Sequence, residues 1–248
     1  MELICASINY RGYAEDEVAA TLELAPRAGY RLMEIHGPMV WSAEAVARFD
    51  RGAIQAGLAR AGLRCAGIYT PGWGGRDAAD VEQRAQAIAA CARHARALGA
   101  SHVTSTGASP RGEPGALDRV VACVTRVLAL AGECPVKLAL EPHFRNCLER
   151  PEDFETVLAR VPDPRVGVCL DTGHFHSAGV DTPAAIRRFM PRLYSVPLKD
   201  HIGTVSVGIG RGEIDLRGEL DALRAAGYAG DLTVELEVED PQNLPRYA

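Results

Sequence analysis

One run of residues joins an apolar strand to several groups that could do chemistry. It reads Val-Gly-Val-Cys-Leu-Asp-Thr-Gly-His-Phe-His over residues 166–176. Its apolar start predicts a buried strand, and Asp171, His174 and His176 follow that strand around Gly173. A carboxylate and imidazoles at the end of a strand are side chains that bind a metal ion or a polar substrate.

Four other predicted strands end in residues of the same kinds. These are Glu34 and His36, Glu141 and His143, Lys199 and His201, and Glu235 and Glu237. Five of the seven histidines lie at or just past a strand end. Because the carboxyl ends of the strands carry the chemistry of an α/β barrel, we expect these side chains to meet at one mouth of the fold.

Three of these carboxylates, Glu141, Asp171 and Glu235, need a counter-charge if they share that mouth. A divalent cation is the simplest one. The oxygen-rich set favours Mn²⁺, with Mg²⁺ or Co²⁺ as alternatives, over a thiolate-type zinc site. Such an ion can polarise a carbonyl together with a neighbouring hydroxyl and acidify the C–H bond between them. Nearby carboxylates or imidazoles can then move the proton.

Strand-like and helix-like segments alternate along the whole chain and give eight β–α units. The predicted strands cover residues 3–7, 32–36, 64–69, 102–106, 137–143, 166–171, 193–199 and 232–237. The predicted helices cover residues 15–28, 42–61, 77–98, 116–131, 151–160, 182–189 and 215–226. Eight units favour a closed (β/α)8 TIM barrel over an open doubly wound sheet. We therefore predict one α/β barrel domain over residues 1–248.

Two short stretches give predictions about partners and cofactors: the last residues of the sequence and the residues that follow the first predicted strand. Asp240-Pro241 is typical of a helix start, but only seven residues follow Pro241. We expect a truncated last outer helix, and a homo-oligomer or partner subunit covering the face of strands eight and one. No G-x-G-x-x-G motif follows the first strand, so we predict no nucleotide cofactor.

Composition excludes several classes of function. The net charge is -5, which disfavours a nucleic-acid partner. No apolar run approaches the ~18 residues that a membrane span needs, and the first residues, Met-Glu-Leu-Ile-Cys, lack the basic region of a signal peptide. The seven cysteines include no C-x-x-C pair. We interpret them as reduced, mostly buried thiols of a cytoplasmic protein.

Five motifs, in order, resemble the xylose isomerase-like TIM barrels, the group usually described as sugar phosphate isomerases and epimerases. They are Leu-Ala-Leu-Glu-Pro-His (138–143), Val-Gly-Val-Cys-Leu-Asp-Thr-Gly-His (166–174), Leu-Lys-Asp-His (198–201), Gly-Arg-Gly-Glu-Ile-Asp (210–215) and Leu-Thr-Val-Glu-Leu-Glu (232–237). The resemblance covers essentially the whole chain. It does not select a substrate, because the group includes epimerases, isomerases, dehydratases, glycoside-cleaving enzymes and DNA-repair endonucleases.

The resemblance implies roles for individual residues. Glu141, Asp171 and Glu235 would be metal ligands, and the two glutamates would also exchange protons with opposite faces of a substrate carbon. His174 would bind substrate oxygens, and His143 matches a position that serves as a base in the dehydratases. We place Glu34, His36, Lys199 and Arg211 among the substrate-binding residues.

One departure from the family pattern lies in the seventh strand. There the family usually reads His-x-His-x-Lys-Asp, and the second histidine is the fourth metal ligand. This chain reads Ser195-Val-Pro197-Leu-Lys199-Asp200, so a proline occupies the ligand position. His201 has the same inward parity and is our candidate for the fourth ligand. Without it, the ion would have three protein ligands plus water, bind weakly or be lost.

Each of these assignments has a simpler structural alternative. The carboxylates could form an ion-pair network with Lys199 or an arginine. The glycines of Gly210-Arg211-Gly212 could only shape a turn that leaves Arg211 exposed. Tyr69 and Trp73 could shape a pocket or merely close the top of the barrel.

The leading hypothesis is a divalent-metal-dependent isomerase or epimerase that acts on a small sugar or keto-polyol by proton abstraction next to a carbonyl. The first alternative is a lyase, either a dehydratase or an enzyme that cleaves oxidised glycosides. A second is a non-catalytic barrel with a degenerate metal site. A DNA-repair phosphodiesterase is disfavoured because strand three ends in Ile68-Tyr-Thr-Pro without a histidine ligand.

Overall fold

Eight parallel strand positions surround the centre of the molecule in the computed structural model, which describes residues 1–237. The strands of the barrel are β1 (Leu3–Ala6), β2 (Leu32–Ile35), β3 (Arg64–Tyr69), β4 (His102–Ser105), β5 (Lys137–Leu140), β6 (Val166–Cys169), β7 (Leu193–Ser195), β8 (Pro197–Leu198) and, later in the chain, β11 (Leu232–Val234). Their order is β7-β6-β5-β4-β3-β2-β1-β11-β8. Since β8 follows β7 in the chain, this is a nearly closed parallel barrel, as predicted.

Helices follow the strands and surround the barrel. They are α1 (Glu17–Leu24), α2 (Ala43–Ala47), α3 (Arg51–Ala61), α4 (Ala78–Leu98), α5 (Ala116–Ala131), α6 (Pro151–Arg160), α7 (Thr172–Ser177), α8 (Thr182–Phe189) and α9 (Leu216–Ala225). The single helix predicted over 42–61 is two helices, because Asp50 caps the second one by accepting a hydrogen bond from the Ala53 amide. The helix α7 was not predicted. No helix within residues 1–237 has the length and apolarity to span a bilayer.

The seventh strand position is divided between two short strands. Leu193–Ser195 pairs with β6, and Pro197–Leu198 pairs with β11. Proline removes one backbone donor at this point, while the amide of Thr233 donates to the carbonyl of Val196 and thereby joins the barrel across the gap. The single strand predicted over 193–199 is therefore wrong in its continuity but right in its position.

A hairpin that the sequence analysis missed projects beyond this strand. It consists of β9 (Asp200–Ile202) and β10 (Val205–Val207), which pair antiparallel. The Asp200 carboxylate accepts hydrogen bonds from the amides of Gly210 and Gly212, each at 2.8 Å. Gly210 has a φ of +77°, so this glycine motif shapes a turn that is held by Asp200.

The interior of the barrel is polar at mid-height, whereas the layer between strands and helices is apolar. Glu34 is buried there, and its carboxylate accepts a 3.0 Å hydrogen bond from the Thr233 hydroxyl. His102 Nε2 lies 3.5 Å from the same carboxylate. Below them, Tyr194 packs against Gly167, where a Cβ atom would collide with the tyrosine ring.

Two sequence predictions concern parts of the chain and of the assembly that this structure does not describe. The helix start at Asp240-Pro241 and the truncated last helix lie outside the described residues. The subunit expected to cover strands eight and one stays a prediction.

All seven cysteines are buried and free.

Candidate active site

A cavity of roughly 300 Å³ opens at the carboxyl ends of the barrel strands. Six of the residues selected from the sequence line it: His36, Glu141, His143, His174, Lys199 and Glu235. His36, Glu141, Lys199 and Glu235 directly follow the last residue of a strand. The alternation of side chains along a strand points apolar residues towards the helices and these four side chains towards the barrel centre. His174 lies on α7.

At the base of the cavity three carboxylates converge. Glu141, Asp171 and Glu235 are buried, and each contributes an oxygen atom such that the three atoms lie within 4.8 Å of one another. Asp171 also caps α7, since its Oδ1 accepts a 2.8 Å hydrogen bond from the His174 amide. This cap leaves Oδ2 for the cluster. Glu141 Oε2 accepts a 2.6 Å hydrogen bond from the Tyr69 hydroxyl.

The ammonium group of Lys199 lies among these carboxylates. Its Nζ atom is 3.1 Å from Asp171 Oδ2, 2.9 Å from Glu235 Oε1 and 2.8 Å from Glu237 Oε2. The side chain is only 1% exposed. Its neighbours raise the pKa of Lys199 well above its usual value despite the opposing effect of burial, so the side chain is a fixed positive charge.

The four carboxyl groups of this site outnumber its two cationic side chains, Lys199 and Arg11, among the described residues. Burial, the largest cause, raises the pKa of Glu235 to about 8 in spite of Lys199, and Asp171 adds to the rise. Burial and the charges of Glu235 and Asp171 raise the pKa of Glu141 well above its usual range. By contrast, Lys199 lowers the pKa of Glu237 to about 2. Burial and the neighbouring carboxylates thus favour the protonated form of these two groups, and a bound cation would oppose both effects.

The donor set fits a divalent cation. Asp171 Oδ2 and Glu235 Oε2 are buried and have no hydrogen-bond partner among the described residues; Lys199 Nζ contacts Asp171 Oδ2 as an ion pair without hydrogen-bond geometry. A buried oxygen of this kind is costly unless a ligand satisfies it. Three carboxylates are hard ligands suited to an oxygen-preferring ion, and one such ion would offset the surplus charge.

Two histidines stand over this cluster. The rings of His143 and His174 are 4.0 Å apart between centroids. His143 Nδ1 is 2.9 Å from the carbonyl of Phe144; because a carbonyl only accepts, Nδ1 carries the hydrogen and the other ring nitrogen is free to take a proton. His174 Nε2 lies 3.3 Å from Lys199 Nζ. Burial and then Lys199 lower the pKa of His174 well below its usual value, so this ring is neutral.

Three predicted residues lie elsewhere. Glu34 sits beneath the cavity in the barrel interior, where its partners are Thr233, His102 and His36. This position corrects the expectation that Glu34 contacts substrate. Arg211 is exposed and does not line the cavity, because the Asp200 contacts hold its loop with the glycine backbone inward.

His201 is the third residue that departs from its predicted place. It does not belong to the group of ligand atoms formed by the three carboxylates. Its Nδ1 is 2.9 Å from Ser177 Oγ, and its Nε2 lies where a Cβ of Gly173 would be 2.5 Å away. His201 therefore packs beneath α7, and the described structure offers no histidine in place of the proline at position 197.

The cavity also contains residues that the sequence analysis did not select. The Arg11 guanidinium lies 4.4 Å from the centroid of the Trp41 ring and 3.8 Å from Glu237 Oε1. Of the two aromatic residues that the sequence left open, Tyr69 lines the cavity and stacks on His36 with 4.7 Å between ring centroids, whereas Trp73 is fully buried outside the cavity. Arg11 and Trp41 come from loops after β1 and β2, and no local motif in those loops marks them.

Known proteins share this architecture. Inosose dehydratase of Geobacillus thermodenitrificans (strain NG80-2) is 26% identical over 143 residues, which are 50% of this chain and 48% of that enzyme. The IolI protein, solved with a bound zinc atom, superposes with a TM-score of 0.80 at 19% identity, over 99% of this chain and 91% of that one. D-allulose 3-epimerase from a Methylomonas species, solved with D-allulose, gives 0.79 at 19% identity, over 98% and 88%.

These similarities extend along the barrel, and the model of one protein family matches residues 22–248. That match includes every strand after β1 and all the carboxylates of the cluster. The chain therefore belongs to the xylose isomerase-like TIM barrel family.

Proposed function

We propose that the protein is a divalent-metal-dependent isomerase or epimerase that acts on a small sugar or keto-polyol. The observation that carries the proposal is the buried group of Glu141, Asp171 and Glu235 at the base of a polar cavity. These three residues would hold the ion. When bound, the ion would polarise the substrate carbonyl and acidify the adjacent C–H bond.

Glu141 and Glu235 are the proposed proton carriers. They follow strands β5 and β11, which are separated in the barrel by β6 and the seventh strand position. One carboxylate can thus remove a proton from a substrate carbon while the other, from a different part of the wall, returns it. The Tyr69 hydroxyl holds Glu141 in place through their 2.6 Å hydrogen bond. His174, being neutral, would exchange hydrogen bonds with substrate hydroxyls.

Similar proteins support the proposed class of reaction, but they do not identify the substrate. D-allulose 3-epimerase has the same fold and was solved with a ketose. The zinc atom of the IolI protein supports a divalent ion. We propose Mn²⁺ as the working ion because the three ligands are carboxylates, with Mg²⁺, Co²⁺ and Zn²⁺ as the alternatives to be compared.

A specific observation also supports a lyase as the second candidate. The ring of His143 faces the cavity with one nitrogen free to accept a proton, directly beside His174. Such a base could remove the C–H proton before water or an aglycone leaves. Inosose dehydratase, which is similar to half of this chain, is named for a dehydration reaction. In this reading the metal cluster is the same and only the proton carrier differs.

The test is incubation of the metal-loaded protein with a panel of keto-sugars and inososes in D₂O. Deuterium uptake with an intact carbon skeleton supports isomerisation or epimerisation, whereas loss of water or of an aglycone supports the lyase. His143→Ala separates the two readings further, because a lyase that uses His143 as its base loses its activity in this variant, whereas an epimerase that uses Glu141 and Glu235 keeps most of it. Absence of any bound divalent ion, even with excess Mn²⁺, contradicts both.

Cellular context is a further part of the proposal. Seven buried free thiols are suited to a reducing compartment, and we propose a cytoplasmic enzyme of carbohydrate metabolism with neither nucleic acid nor membrane as partner. The proposed oligomer is tested by the sedimentation of the purified chain.

A further inference from the structure

Lys199 makes more charged contacts than any other group described in the cavity. Its Nζ atom lies within 3.1 Å of carboxylate oxygens of Asp171, Glu235 and Glu237, and 3.3 Å from His174 Nε2. Two of these carboxylates, Asp171 and Glu235, belong to the cluster that fits a divalent ion. The carboxyl groups of Asp171 and Glu235 are thus also the partners of a cation that the chain itself carries.

A divalent ion and this ammonium group cannot both keep these partners. An ion bound by three oxygens that lie within 4.8 Å of one another would stand close to a nitrogen 2.9 Å from Glu235 Oε1 and 3.1 Å from Asp171 Oδ2. Two positive charges about 4 Å apart repel each other strongly in a site with little water. The nitrogen cannot withdraw into solvent, because the side chain is buried.

We infer that Lys199 and the divalent ion exchange for Asp171 and Glu235, so that Lys199 sets the affinity of the site for its metal. This inference rests on the metal site of the proposed function. In the ion's absence the ammonium group offsets part of the negative charge of the cluster, and binding of the ion releases it from the two shared ligands.

Glu237 provides the second position for the ammonium group. Its Oε2 has the shortest contact with Lys199, 2.8 Å, and it is not a member of the three-carboxylate group. His174 Nε2 accepts from the same nitrogen. When the ion takes Asp171 and Glu235, the nitrogen keeps Glu237 and His174. The exchange therefore reaches a histidine that faces the substrate.

Composition gives an unusually direct way to observe this group. The chain contains only two lysines, Lys137 and Lys199. Lys137 lies at the amino-terminal end of the barrel, where Nζ donates to the Pro164 carbonyl and faces the Tyr194 ring. In the Lys137→Met variant, labelling with ¹³C-lysine leaves one lysine in the NMR spectrum, and that lysine is Lys199.

The experiment titrates this labelled variant with zinc chloride, a diamagnetic probe, and measures binding in parallel by calorimetry. We expect the Cε signal of Lys199 to move and to saturate at the Kd that calorimetry gives. Calorimetry with the wild type and with Lys199→Met, a variant of similar length without the charge, should show binding at least about tenfold tighter in the variant, equivalent to about 1.4 kcal/mol. Lys137→Met should match the wild type.

Three results overturn the inference. The first is bound zinc with an unmoved Lys199 signal, and the second is equal or weaker zinc binding by Lys199→Met. The third is absence of zinc binding by the wild type and by every variant. That result contradicts the metal site itself, and therefore the proposed function as well as this inference. If Lys199→Met does not fold without metal, the NMR titration, which keeps Lys199 intact, still decides.

Discussion

The Tyr69 hydroxyl donates a 2.6 Å hydrogen bond to Glu141 Oε2. This contact joins the end of β3 to the first residue after β5, and it is the shortest hydrogen bond made by any of the three clustered carboxylates. Replacing Tyr69 with Phe removes the donor and leaves a buried oxygen without its partner. In the metal-loaded protein Glu141 would be ionised, and a hydrogen bond to a charged group contributes about 1.5–3 kcal/mol. We therefore expect kcat/KM in the proton-exchange assay to fall roughly 10- to 100-fold.

The matched control is Tyr194→Phe. Its hydroxyl donates a 2.6 Å hydrogen bond to the Pro164 carbonyl at the opposite end of the barrel, so that variant loses a bond of the same length without affecting the cavity. Equal activity losses in the two variants would show that the Tyr69 effect is not local to the cluster.

Position 197 is where a fourth ligand can be restored. Pro197 pairs with Thr233 at the inner wall, two residues before Glu235. We expect Pro197→His to bind Mn²⁺ about tenfold more tightly than Pro197→Ala, since an imidazole adds one ligand to three carboxylates. Isothermal titration of both variants measures this difference. Identical affinities would mean that the imidazole does not reach the ion.

Two arginines can be compared to test which of them contacts substrate, because one lies in the cavity and the other lies on a neighbouring loop. Arg11 lines the cavity and lies over Trp41, whereas Arg211 is exposed on the turn held by Asp200. We expect Arg11→Ala to raise KM about tenfold through loss of about 1.4 kcal/mol of substrate binding, and Arg211→Ala to leave kcat and KM unchanged. Steady-state kinetics on a substrate identified in the panel checks both values. A larger effect from Arg211 would restore its role as a substrate ligand.

The buried carboxyl group of Glu219 leads to a prediction of how the free energy of unfolding depends on pH. It is buried in α9, its Oε2 has no hydrogen-bond partner among the described residues, and burial raises its pKa from 4.5 to about 7. A raised carboxyl pKa means that the folded protein prefers the protonated form. Its contribution to stability is therefore full below pH 4.5 and is lost as the pH rises towards 7.

Glu219→Gln removes this titration. A pKa difference of that size corresponds to up to about 3 kcal/mol, so at pH 8 the variant should be more stable than the wild type by about 1–3 kcal/mol, while at pH 4.5 the two should agree. Urea unfolding at both pH values measures the difference. A stability gain that is the same at the two pH values would assign it to packing instead.

Strand periodicity and strand ends were enough to predict the barrel and most of the cavity. Glu141 and Glu235 each directly follow the last residue of a strand, so the pleat fixes the direction of their side chains before any tertiary contact is known. Glu34 follows the same parity, yet it lies one layer deeper. Periodicity gives the face of a strand but not the height in the barrel, which depends on how neighbouring strands are staggered.

Other features depend on contacts between distant residues. His201 has the inward parity of a ligand, but the hairpin β9–β10 and the Ser177 hydroxyl direct its ring beneath α7. Arg11 and Trp41 meet only after two loops pack together. Such contacts have no local signature, which is why the sequence analysis selected Arg211 from a glycine motif and missed Arg11.

Asp171 uses its two oxygens for different purposes. Oδ1 fixes the start of α7 through the His174 amide, and Oδ2 faces the cluster. The carboxylate of Asp171 thus fixes the start of the helix that carries His174 and Ser177, and the same carboxylate would bind the proposed ion. If the proposed ion binds here, an ion of larger radius would shift this helix and His174 with it, and the choice of metal would then affect the shape of the cavity. The substrate preference of the protein should accordingly change when one metal is exchanged for another, without any change in sequence.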